Sequence, residues 1–196
     1  MAEATEHNVR EKTNDTRNEL ILAGIHELHE KGVSAFSIRS VASACGVSCA
    51  APYRHFKSKD DFINSIIGYI NRKWYLTQNM ILSEYSDVRE RLTEISVAYV
   101  RFLVENPEFY TVLLLNTENG GGQRSSGMSI SLCTRGLIKA YCNEVRMSDT
   151  DRVRKTYVVR SLIYGAATMI LGGELPNTED TFDMIRFSIS REFEIS

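Results

Sequence analysis

Proline is scarce in this chain: Pro52, Pro107 and Pro176 are the only three in 196 residues, which leaves long stretches free of the residue that most strongly breaks helices. Cysteine is nearly as rare. Four of them, Cys45, Cys49, Cys133 and Cys142, in a chain long enough to bury its own core and without a secretion signal, argue against a disulfide framework and for reduced thiols. No window approaches the ~18 consecutive apolar residues of a membrane span, and the opening MAEATEHNVREKTNDTR lacks the apolar core of a signal peptide. A cytoplasmic protein with no membrane partner is expected. With 43% hydrophobic and 24% charged residues, disorder and collagen-like structure are excluded, and one domain or two small ones fit the length. A net charge of -2 argues against nucleic-acid binding over the whole surface, so charge has to be counted by segment.

Strand patterns are absent as well. No stretch of five or more residues alternates apolar and polar, enriched in β-branched types and bounded by turn dipeptides, and the chain is expected to be all-α, with about nine helices. The first runs roughly from Asp15 to Lys31, with Ile21, Ile25 and Leu28 on one face and Gly32 at its end. Ser37 caps a short second helix carrying Ile38, Val41 and Ala42 and ending at Gly46, and Ser48 opens a third that reaches Phe56. Ser58 caps a longer fourth, with Asp60 and Asp61 in its first turn and Ile63, Ile67, Ile70 and Trp74 along one side. Val88, Leu92, Ile95, Tyr99 and Phe102 are the stripe of a helix ending near Glu105, and Asn106 with Pro107 opens the next. The segment NTENGGGQRSSG, residues 116–127, is expected to be flexible, and a helix follows it to about Met147. Ser148 and Asp151 resemble a capping box opening a helix closed by Gly172 and Gly173, and Asn177 or Thr178 caps the last. Neither an internal repeat nor a sustained heptad is present.

Residues 37–56, SIRSVASACGVSCAAPYRHF, carry the chemistry. Helix, tight turn and helix follow one another here: small Ala42 permits a close crossing, Gly46 supplies the turn, and Val41 with Val47 fills the angle. The second helix of such a unit presents its N-terminal side chains to a DNA major groove about 12 Å wide. Ser48, Cys49, Ala50 and Ala51 are small enough to approach base edges, while Tyr53, Arg54, His55 and Lys59 are long donors suited to phosphate oxygens or a guanine edge. Charge agrees: residues 10–59 hold eight Lys or Arg against five Asp or Glu, while residues 60–196 hold fifteen against eighteen. Arg10 and Lys12 suit either a flexible arm on DNA or a solvated tail.

Residues 16–62 resemble the DNA-binding domain of the TetR family of bacterial transcriptional regulators, through AGIHELHEKG, FSIRSVASACGVS and PYRHFKSKDDF. The resemblance implies a three-helix helix-turn-helix domain at residues 10–57 and a helical bundle for effector binding and dimerisation at residues 58–196. It also implies that Ser37 contacts a phosphate, that Ser48, Cys49, Ala50, Ala51 and Arg54 face bases, and that Tyr53, His55 and Lys59 hold the backbone. The implied partners are double-stranded operator DNA, a second copy of the chain and a small-molecule effector, with repression as the family default. Two positions depart from the family pattern. Pro52 stands where many members have Leu or Ile and removes a helical donor, and LIYG stands where Trp-His-Gly is common in one subgroup.

Trp74, Tyr75, Tyr99, Phe102, Phe109, Tyr110, Met128, Tyr164 and Met169 suit either an apolar ligand cavity or the core that any bundle needs. Of these, Trp74, Tyr99, Phe102, Phe109, Tyr110, Met128 and Tyr164 are the pocket candidates. Cys45 and Cys49 read as small packing residues rather than a thiol switch. His7, His26, His29 and His55 lack partners at metal-ligand spacing, so neither metal nor cofactor is expected. Catalytic signatures such as G-x-S-x-G, H-E-x-x-H or a P-loop are missing, and GGG at 120–122 lacks the lysine and the strand of one. A helical protein-interaction module without DNA binding is the competing class, and a helical enzyme the third.

Overall fold

The computed structural model describes residues 2–118 and 129–193, with side chains described from 15 to 112 and from 136 to 193. The described residues form eight α-helices and one 3-10 turn, with no strand, so the fold is all-α. In order the helices are α1 (Ala2–Ala35), α2 (Ile38–Ala44), α3 (Lys59–Glu84), α4 (Val88–Glu105), α5 (Pro107–Glu118), α6 (Ser129–Glu144), α7 (Asp149–Leu171) and α8 (Glu179–Arg191), with the 3-10 turn at Pro52–Arg54. None is long and apolar enough to cross a membrane. The first helix is longer than its apolar spacing indicates: it starts at Ala2, and its backbone breaks at Gly32, where φ is 70°. Arg10 and Lys12 therefore lie on helical backbone rather than on a flexible arm, and their side chains lie outside the described residues, as does that of Cys133. Met128 and residues 119–127 of the glycine-rich segment also lie outside them, while 116–118 end α5.

Helix starts follow local chemistry. Ser37 accepts from Ser40 N at 3.3 Å to cap α2, and Ser58 Oγ accepts from Asp61 N at 3.1 Å to cap α3. Asp87 Oδ1 accepts from Arg89 N and Glu90 N ahead of α4, and Ser148 accepts from Asp151 N ahead of α7. Each of these satisfies amides that have no partner within their helix.

Chain contacts define two units, Met1–Ile70 with Glu108–Ser126, and Asn71–Pro107 with Gly127–Ser196. In the first, Leu20, Ile21, Ile25 and Leu28 of α1 are buried together with Phe36, Val41, Ala42, Phe56, Phe62 and Ile66. Phe62 stacks on Phe56 at 4.0 Å and meets Phe36 edge-on at 5.5 Å. A part-buried polar network ties α1 to α2: buried Glu27 accepts from Lys31 Nζ at 3.0 Å and from Ser40 Oγ at 3.1 Å. In the second unit α4 is the centre and packs on α6, α7 and α8. Its partners' core residues are Ile138 and Tyr141 of α6, Val159, Ile163 and Ala167 of α7, and Phe182, Ile185 and Ile189 of α8. Arg186 pairs with Glu94 at 2.8 Å, and Arg101 pairs with Glu179 while lying 3.8 Å from the Phe182 ring centroid. The end of the last helix is pinned twice. Tyr141 donates to the Phe193 carbonyl at 2.9 Å, and buried Lys155 donates to that of Glu192.

Candidate nucleic-acid interface

The candidate surface is assembled between α2 and α3. After α2, Gly46 N donates to Ser43 O at 3.1 Å and Val47 N to Ala42 O at 3.0 Å, the paired closure that requires a left-handed residue in between. Gly46 supplies it with φ 66°. From Ser48 onward the expected α-helix does not form as such. Ala51 N donates to Ser48 O at 2.9 Å, Arg54 N to Ala51 O at 3.1 Å and His55 N to Pro52 O at 2.9 Å, so tight three-residue turns run through the segment and only Pro52–Arg54 is regular 3-10. Pro52 is the cause. Lacking an N–H, it cannot close a four-residue turn on Ser48, and Ala51 closes a shorter one instead.

This irregular segment still has two sides. Pro52 and Phe56 are buried, and Phe56 is held by the Phe62 stack. Ser48, Cys49, Ala50 and Arg54 are exposed, Ala51 is half-buried, and Tyr53 keeps 57% of its surface in solvent although it is a large apolar ring. Ser37 is half-buried at the start of α2. Its oxygen accepts from Ser40 N, which leaves the hydroxyl proton to donate outward. Lys59 is only half available: its Nζ lies 3.4 Å from the Ser34 carbonyl and 5.8 Å from the centroid of Phe36, tying the end of α1 to the start of α3. Arg39 on α2 and Lys57 ahead of α3 are exposed cations of the same segment that sequence reasoning overlooked. For Arg39, counting charge by helix face would have found it, since buried Ile38, Val41 and Ala42 define the opposite face.

His55 is half-buried. Burial lowers its pKa below the usual imidazole value, and the Arg17 and Arg54 guanidiniums push it in the same direction. The folded state thus binds a proton less readily than the unfolded chain. Stability from this residue is unaffected above the ordinary value of about 6.5 and falls as pH drops below it. The wild type is therefore expected to lose stability relative to His55→Gln between pH 7 and pH 5.5, as read by urea unfolding; parallel curves over that range would contradict it.

Cys49 is exposed and does not pack, contrary to the small-packing-residue expectation, whereas Cys45 is half-buried and burial, aided by Glu19, raises its thiol pKa. Among the described residues no group of three or more His, Cys, Asp or Glu could hold a metal ion. Of the pocket candidates, Trp74, Tyr99, Phe102 and Tyr164 form one ring cluster, with Trp74–Tyr99 at 5.0 Å, Trp74–Phe102 at 5.5 Å and Tyr99–Tyr164 at 6.4 Å. Trp74, Tyr99 and Phe102 are buried. Phe109 meets Tyr69 at 6.4 Å in the first unit, where Tyr110 is half-buried. Tyr75 and Met169 are exposed. Of the described candidates only Tyr164 lines the cavity of about 860 Å³ between α6 and α7, whose other walls include Lys139, Tyr157 and Arg160.

Residues 20–66 match the family model described as bacterial regulatory proteins, tetR family, and residues 92–191, about half of the chain, match the tetracyclin repressor-like C-terminal domain. The chain belongs to the TetR family. The family is described as one of bacterial regulatory proteins. It is 29% identical over 113 residues to the nucleoid occlusion factor SlmA of Marinomonas sp., covering 58% of this chain and 57% of that protein. The chain thus spans little more than half the length of the curated relatives it matches. A solved TetR-family regulator from Marinobacter aquaeolei superposes with a TM-score of 0.75 at 18% identity, covering 93% of this chain and 97% of that one. A TetR variant from Acinetobacter baumannii, solved in complex with minocycline, gives a TM-score of 0.56 at 16% identity, with 89% and 92% covered. The two superpositions establish the TetR fold.

Proposed function

We propose that this TetR-family protein is a repressor that binds a palindromic operator as a homodimer and is released by a small, largely apolar ligand. The observation that carries the DNA reading is the exposed segment 48–54, in which small residues and Arg54 face solvent while Pro52 and Phe56 are buried behind them. In this reading residues 10–57 read DNA, and 58–196 hold the partner and the effector. Ser48, Cys49, Ala50, Ala51 and Arg54 approach bases, and Ser37, Tyr53, His55 and Lys59 hold phosphates. One such module buries too little surface for tight sequence-specific binding, so two copies place their reading elements about 34–36 Å apart.

The dimer reading rests on α7 and α8. Met169, Met184 and Phe187 are exposed, Phe187 to 64%, and Gly165 and Ala166 leave room for a close approach beside them. Ligand release follows from linkage: an effector that favours a domain shape with the wrong spacing weakens DNA binding by its differential affinity for the two shapes. The continuous α3, with residues in both units, is the lever in this scheme. A ligand-bound relative exists in the minocycline complex. Action on DNA places the protein in the cytoplasm.

Selection of bound sequences from random duplex DNA by the purified protein tests the reading. The expected result is a palindromic site whose affinity falls steeply with salt, as release of counterions from several phosphates requires. No enrichment at low salt would overturn DNA binding and favour the protein-interaction module.

A further inference from the structure

The second unit contains a helix with one apolar stripe too many. On α7, Val159, Ile163, Ala167 and Ile170 are buried in the core. Val153, Tyr157, Arg160 and Tyr164 recur at spacings of four, three and four, which defines a second stripe on a different face. This second stripe lines the cavity of about 860 Å³ against Gly136 and Lys139 of α6. Val153 is 66% and Tyr157 72% exposed, so apolar side chains stand in water where the core does not need them.

The charge around them has one sign. Among the described residues that line the cavity, Lys139, Arg152 and Arg160 are charged and none is Asp or Glu. Arg152 is paired with Asp149 at 2.8 Å. Among the described residues neither Lys139 nor Arg160 has an ion-pair partner, and the Arg160 guanidinium lies 5.8 Å from the Tyr164 ring centroid. An apolar wall beside cations with which no carboxylate among the described residues pairs recognises a molecule that is apolar along its body and anionic at one end. An Arg fork with a Lys ammonium suits a carboxylate, and the volume falls within the range of small-ligand sites. A second copy of the chain fits less well, because a two-fold contact here would lay this cationic patch against the same patch of the partner.

We propose that this cavity is the effector site and that its ligand is an amphipathic carboxylate, with its alkyl or aryl body on Val153, Tyr157 and Tyr164 and its carboxylate between Lys139 and Arg160. The proposal rests on the effector reading given above and adds its chemistry.

The test is calorimetric titration of the full-length protein with decanoate and with 2-naphthoate, each against its methyl ester, which keeps the body and removes the charge. Trp74 is the single tryptophan, and it is linked through Tyr99 to Tyr164 by ring contacts, so decanoate is also expected to change its fluorescence. At least one of the two acids binds, at least tenfold more tightly than its ester. Arg160→Gln and Lys139→Gln each weaken acid binding about tenfold and leave the esters alone, whereas Arg154→Gln, on α7 but outside the cavity, changes nothing. Equal affinity for acid and ester, no binding of either acid, or loss of binding in Arg154→Gln equal to that in Arg160→Gln overturns the proposal. So does a change in oligomeric mass in Tyr157→Ser, which would make the stripe an interface between copies. Operator selection involves none of these ligands, so a protein that selects a palindrome but binds neither acid loses this proposal alone, and one that binds the acids but selects no DNA loses the operator reading instead.

Discussion

Arg54→Ala is expected to weaken binding of the dimer to the selected operator at least 10- to 100-fold, since each half-site loses a base contact worth ~1–3 kcal/mol, and to relax preference at one position in each half-site. Arg54 is exposed, and no carboxylate among the described residues pairs with it, so the guanidinium is free to reach outward. Its backbone is not free: its N–H donates to Ala51 O at 3.1 Å, and the turn it closes is anchored by buried Pro52 and Phe56. A short constrained turn that carries a free guanidinium forfeits less entropy on binding than the same residue on a mobile loop. Tyr53→Ala should behave differently, weakening binding to all sequences with little change in preference, because a phenol hydroxyl on a phosphate carries no base information. Binding isotherms at two salt concentrations, with helicity checked by circular dichroism, separate the two effects. Unchanged affinity in both variants would remove the reading element from 48–54.

Much of this surface was legible beforehand because it depends on local chemistry. Ser37, Ser58 and Ser148 announce helix starts through hydroxyls placed three residues ahead of unpaired amides, and Gly46 announces a left-handed turn, so spacing alone located α2, α3 and α7. The segment after Ser48 was harder. Its composition suits a helix, and the missing amide of Pro52 signals trouble, but whether the chain then delays its helix or tightens into three-residue turns depends on how Pro52 and Phe56 bury against Phe62. The ligand cavity was barely legible. Three of the six aromatic candidates, Trp74, Tyr99 and Phe102, belong to the core, because they lie on faces that the bundle closes. The signal that does mark the cavity is a second stripe on α7, and a stripe is assigned to core or to surface only once the neighbouring helices are placed. Lys59 shows the same limit at one residue: sequence cannot tell a cation reaching outward from one tied to the Ser34 carbonyl.

Phe62→Ala is expected to have the largest effect on stability, about 3–5 kcal/mol, the usual cost of deleting a fully buried phenylalanine. The ring is inaccessible to solvent, stacked face to face on Phe56 at 4.0 Å and edge-on to Phe36 at 5.5 Å, so truncation removes two aromatic contacts besides its own burial. Collapse into the void is restricted. A Cβ added at Gly24 of α1 would stand 3.2 Å from the Phe62 ring and 2.7 Å from Ile66, so α1 and α3 are already at closest approach here, and neighbouring side chains have little slack with which to fill the space. Small units have few kcal/mol to spare. Phe56 carries the reading segment, so its loosening should abolish operator binding before global helicity is lost. Trp74 lies in the second unit, and its fluorescence should report that unit still folded at temperatures where operator binding is gone. Phe62→Leu, which keeps most of the volume, should cost about 1–1.5 kcal/mol and retain binding at low temperature. Urea unfolding followed by helicity, by Trp74 fluorescence and by operator binding distinguishes these outcomes, and an alanine variant that unfolds at the wild-type midpoint would show that the Phe36–Phe62–Phe56 stack does not hold the reading segment in place.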